Sequence, residues 1–106
     1  MTLLERVAWH QGAQVNIDER LVEAARSIPN ALGLAVTSSP RGVRGMLVID
    51  ERRGSFLDAE DLAMGRLVEI RRDYPDAAID LVCVSTRDAR TIDLRSDARV
   101  YSFLPV

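Results

Sequence analysis

Apolar residues along the chain recur at two spacings, and each change of spacing marks a change of element. In "NIDERLVEAARSIPN" Ile17, Leu21, Ala24, Ala25 and Ile28 fall at helical intervals. Asn16 or Asp18 suits the cap, Glu19 suits the positive end of the helix dipole, and Pro29 follows the last turn. The pattern predicts a helix that buries those five residues. "ALGLAVTS" at 31–38 and "GVRGMLVIDE" at 42–51 then read as strands. Between them, in "SSPRGVRG", Ser39, Pro40 and Gly42 take the favoured first, second and last places of a β-turn. A phosphate-holding loop would lead from a strand through glycines into a helix. A strand follows here instead, so the motif predicts a hairpin, with Arg41 and Arg44 as candidate contacts for an exposed anion.

The longest helical pattern runs over 58–73, with Asp58 at its cap, Asp61 three residues on and Pro75 past its end. Ala63, Leu67, Ile70 and Tyr74 form its stripe, and Met64 and Val68 beside them make it wide enough to cover a sheet. Gly65 costs such a helix about 1 kcal/mol relative to alanine, which calls for close packing there. "AAIDLVCVS" at 77–85 reads as a strand, "TRDARTIDLRSDA" as an edge strand and a turn, and "RVYSFLPV" as a last strand with Val100, Ser102 and Leu104 on one side. The N-terminal stretch has two readings. "TLLE" resembles a capping box, whereas Val7, Trp9, Ala13, Val15 and Ile17 sit at period two around Gly12 and favour a strand or hairpin.

With a strand first, the order matches an α+β two-layer sandwich of the ferredoxin-like kind: a split β-α-β arrangement with an extra C-terminal strand and both helices on one face of an antiparallel sheet. With a helix first, it matches a Roadblock-like α-β-β-α-β-β-β order. "MLVI" at 46–49 and "LVCV" at 81–84 are apolar on both faces, whereas a sheet covered on one side should alternate. The second face therefore needs a cover, from the N-terminal segment, the C-terminal strand or another subunit, and a homodimer that supplies it is expected.

A length of 106 residues predicts a single domain spanning 1–106. No apolar stretch approaches the length of a transmembrane helix, and the chain reads as cytoplasmic. All 14 basic residues are arginine, which rules out a Schiff base, a lysine general base and a Gly-Lys-Ser/Thr phosphate loop. Codon usage in a GC-rich genome explains this; avoidance of lysine-directed modification is the functional alternative. Net charge of −2 argues against nucleic acid as the main partner. Cys83 is the only cysteine and His10 the only histidine, so neither a disulfide nor a Cys/His zinc site forms within one chain. No cofactor, catalytic residue or metal ligand is assigned.

Three functions remain. The leading expectation is a non-enzymatic protein-binding module, such as a small bacterial inhibitor, immunity protein or regulatory subunit. Its acidic residues Asp58, Glu60, Asp61, Asp73 and Asp76 would meet a basic protein partner and steer its approach. The second is a sensor of an anionic metabolite bound by Arg41 and Arg44. The third is a magnesium-dependent, nuclease-like enzyme in which Asp18 and Asp80 supply hard oxygen ligands.

Overall fold

The computed structural model describes residues 17–94 and 97–103. Helix α1 covers residues 17–26 and is followed by β1 (Ala31–Ser39), β2 (Gly42–Ile49), α2 (Phe56–Asp73), β3 (Ile79–Ser85), the single turn α3 (Thr86–Ala89) and β4 (Arg99–Ser102). The strands form one mixed sheet in the order β3-β2-β1-β4. This is an α+β fold with α1 and α2 on one face of the sheet.

The expected stripe of α1 is the buried one: Ile17, Leu21, Ala24, Ala25 and Ile28 all enter the core. They pack with Leu34 and Val36 of β1, Leu47 and Ile49 of β2, Ile79 and Leu81 of β3, and Ala59, Ala63, Leu67 and Ile70 of α2. Alternation along each strand sends these side chains to the helical layer and their neighbours to the opposite face. In β1 the pairing with β2 shifts between Ala31 and Gly33. A bulge of this kind resets the parity, so that Ala31 and Leu34, three residues apart, both face the helices.

The β1–β2 turn forms as expected. Ser39 Oγ accepts a hydrogen bond from the Arg41 N–H at 3.1 Å, and Ser39 pairs with Gly42 across the hairpin. Gly42 has φ +141°, a backbone conformation that residues with a side chain rarely adopt.

Several expectations are corrected. A split β-α-β arrangement would place another strand between β2 and β3, but the two are direct parallel neighbours over seven residue pairs, Val43↔Ile79 to Ile49↔Ser85. The sheet is therefore mixed, and β2-α2-β3 is a plain crossover. The edge strand expected after residue 85 is replaced by α3, capped by Ser85, whose Oγ accepts from the Asp88 N–H. That helical turn also departs from the Roadblock-like order. The cap of α2 is Ser55, accepting from the Asp58 N–H, rather than Asp58 itself. Met64 and Val68 do not widen the buried stripe: 48% and 51% exposed, they lie on the outer flank of α2. Among the described residues no heavy atom lies within 4 Å of where a side chain on Gly65 would begin, so this glycine answers no packing need among them. The expectations for Val7, Trp9, His10 and Leu104 lie outside the described residues.

Candidate functional site

Three arrangements bear on function, and each brings together residues distant in sequence. The first lies at the hairpin end of the sheet. Register sets Arg44 of β2 beside Asp80 of β3. The Arg44 guanidinium lies 3.6 Å from one oxygen of Asp80, and that of Arg71 lies 3.7 Å from the other. Arg71 reaches this point from the last turn of α2, where its Nε also donates to the Ile79 carbonyl at 2.8 Å. Asp80 in turn accepts from the Leu81 N–H at 3.0 Å. With Arg41 at the hairpin tip, these groups border a cleft of about 590 Å³. Three guanidinium groups against one carboxylate leave an excess of positive charge suited to a phosphate or carboxylate. Of this set the sequence pointed to Arg41 and Arg44; Arg71 joins them only because the crossover returns α2 to the start of β3.

The second is a buried ion-pair network. Asp18, 5% exposed near the start of α1, accepts two hydrogen bonds from Arg99 of β4, one of them at 3.0 Å. It accepts another from the Tyr101 hydroxyl at 2.8 Å, while Arg99 also donates to Ser38 Oγ at 2.9 Å. Burial, and then donation to Asp18, raise the Tyr101 pKa; the hydrogen bond to Asp18 raises that of Arg99. The network ties α1 to the β4 edge. It also separates the two aspartates proposed as magnesium ligands, since Asp18 is committed on the helical side by β4 and Asp80 sits on β3, at the other edge of the sheet. Among the described residues no three His, Cys, Asp or Glu side chains gather as a metal site would require.

The third is apolar surface. On the face opposite the helices, register aligns Val100, Ala35, Met46 and Val82, one from each strand, with Val48 and Val84 in the adjoining row. Val100 is 64% and Val82 39% exposed. The outer flank of α2 adds Leu57, 69% exposed, to Met64 and Val68.

The acidic residues expected to form one partner surface divide into two groups. Asp58, Glu60 and Asp61 lie in the first turns of α2, whereas Asp73 and Asp76 lie at and beyond its other end, roughly 18 Å away at 1.5 Å per residue. Asp73 is also engaged by Arg20 of α1. Cys83 lies on the helical side of β3, where burial, and then the charge of Glu60, push its thiol up to about 11. It is protonated at neutral pH and unsuited to nucleophilic attack. No helix among the described residues is long and apolar enough to cross a membrane. Comparison of the chain with family models, with curated proteins and with solved structures finds no match.

Proposed function

We propose that this chain is a non-enzymatic protein-binding module that holds a partner on the open face of its sheet. The observation that carries the reading is the row Val100, Ala35, Met46 and Val82 with Val48 and Val84 beside it. Val82 and Val100 are exposed and Met46, Val48 and Val84 half-buried along these rows, and apolar surface of this kind on a small domain marks an interaction site. Its shape points to the occupant. On β1 the open-face residues are Gly33 and Ala35, small side chains between the larger ones of β4 and β2. β4 and β2 are two strand spacings apart across β1, about 10 Å, the width of a helix. An apolar helical face of the partner would complete a second layer that no described residue supplies on this side. Inhibitors, immunity proteins and regulatory subunits act through such surfaces. One protonated thiol with no second cysteine fits a reducing, cytoplasmic setting.

A photo-crosslinking residue placed at Val82 or Val100 in cells tests this. Both positions should tether the same polypeptide, different from this chain. Once purified, that polypeptide should bind Met46→Arg at least about tenfold more weakly than the wild type, as expected for a buried apolar anchor. Failure to tether any protein, or metal-dependent hydrolysis abolished by Asp80→Asn, would overturn the reading.

A second reading, an anion sensor, is favoured by the convergence of Arg41, Arg44 and Arg71 on one cleft. It predicts that inorganic phosphate raises the melting temperature of the wild type and not that of Arg41→Ala/Arg44→Ala, because only a ligand held by the native state stabilises it.

A further inference from the structure

We infer that a second copy of this chain docks on the outer flank of α2, antiparallel to it across a twofold axis between Met64 and Gly65. This surface is separate from the open sheet face. Self-association expected from the sequence is thereby placed on the helix rather than on the sheet.

Three observations single out a copy of the chain as the occupant. First, Leu57, Asp61, Met64, Val68 and Arg72 recur at intervals of four and three, the spacing of a seam between paired helices, and all are exposed. A seam residue that packed within the chain would be buried, as Ala59, Ala63, Leu67 and Ile70 are on the inner stripe. Second, Gly65 stands at the centre of this flank with open space around it. Its lack of a side chain permits the close approach of a second helix, which no described residue exploits. Third, charge runs in opposite senses at the two ends of α2. Asp58, Glu60 and Asp61 occupy its first turns; its second half carries Arg66, Arg71 and Arg72 with Glu69 and Asp73, which pair with Arg66 and with Arg20 of α1.

This last feature fixes the orientation. In a parallel pair acid would face acid and arginine would face arginine. In the antiparallel pair Met64 lies against the partner's Gly65, and Val68 lies across from the partner's Asp61. Asp58 and Asp61 lie beside the partner's Arg72 at the rim of the seam. A twofold axis makes every such contact twice, so a surface complementary to itself is used in full only by a second copy. Opposite charges at the rim select this register, and the apolar centre supplies the affinity.

The test is sedimentation equilibrium of the full chain over a hundredfold range of concentration, with circular dichroism and thermal melting as folding controls. The wild type should dimerise. Val68→Asp, which sets a carboxylate against the partner's Asp61, should keep the fold and raise the dissociation constant at least about tenfold. Asp61→Arg and Arg72→Asp should each weaken the dimer, and the double variant Asp61→Arg/Arg72→Asp should recover most of the loss. Positions 61 and 72 lie about 16 Å apart along one helix, so that recovery can arise only between chains. A wild type that stays monomeric at every concentration would overturn the proposal. So would a dimer that survives Val68→Asp but is lost in Val82→Arg, since that would seat the second copy on the sheet.

Discussion

Gly42→Ala is expected to destabilise the fold by about 3 to 5 kcal/mol, combining a positive φ imposed on a residue with a side chain and a steric overlap that must be relieved. Gly42 has φ +141° at the end of the β1–β2 turn. A methyl group there would lie 2.7 Å from the Ala78 side chain and closer still to the Ala78 carbonyl. That carbonyl cannot simply withdraw, because it accepts the Val43 N–H at 2.8 Å, the hydrogen bond that opens the β2–β3 pairing. Relief therefore requires the start of β3 to move away from β2 at the edge of the core. Arg41→Ala, one residue earlier at an exposed position, should change stability by no more than about 0.5 kcal/mol. Urea unfolding separates the two, since a loss of this size appears as a lower midpoint at unchanged slope. For a domain of this length, with total stability on the order of 5 to 15 kcal/mol, Gly42→Ala removes a large share of the reserve. Equal and negligible effects at the two positions would remove the argument.

The same turn shows why parts of the fold are legible in the sequence. Ser39, Pro40 and Gly42 each carry a local conformational preference, and the three agree on one turn type. The α1 stripe is legible for a similar reason, since a helix buries whatever its period places on one side. Local signals are also present at the two helix starts that differ from expectation. Ser55 and Asp58, like Ser85 and Asp88, are serine followed three residues later by an acid, a signature of a helix start, and both serines are caps. Reading that signature at Ser85 predicts α3 in place of an edge strand. No comparable signal tells β3 to lie beside β2, because the partner of a strand is chosen by the whole sheet. The candidate sites inherit this limit. Arg41 and Arg44 stand out because they flank a turn, while Arg71, on a helix more than twenty residues later, reaches them only through the crossover. The outer flank of α2 escaped notice because Met64 and Val68 border the buried stripe, and composition alone does not say where a stripe ends.

The second large effect concerns the link from α1 to β4, for which neither Asp18 nor Arg99 gives a local clue. Arg99→Ala is expected to cost about 3 kcal/mol, because it leaves a buried carboxylate without its ion-pair partner. Asp18 is 5% exposed, and water cannot replace the guanidinium around it. Asp18→Ala should cost less, about 2 kcal/mol, because the Arg99 side chain is 34% exposed and its freed donors can hydrate. Tyr101→Phe removes one donor among several and should cost about 1 kcal/mol. The three changes act on one network, so they should not add: a double-mutant cycle of Asp18→Ala with Tyr101→Phe should show coupling on the order of 1 kcal/mol. The alkaline limb offers a further check. Tyr101 has its pKa raised by burial and by donation to Asp18, so its contribution is complete below the ordinary phenol pKa and is lost as pH rises through the raised one. The chain has no lysine to titrate in that window. Stability measured from pH 9 upward should fall less steeply in Tyr101→Phe than in the wild type. Identical slopes would mean that the hydroxyl is already hydrated in the folded protein, and an Asp18→Ala cost equal to that of Arg99→Ala would mean that the carboxylate is no more isolated from water than its partner.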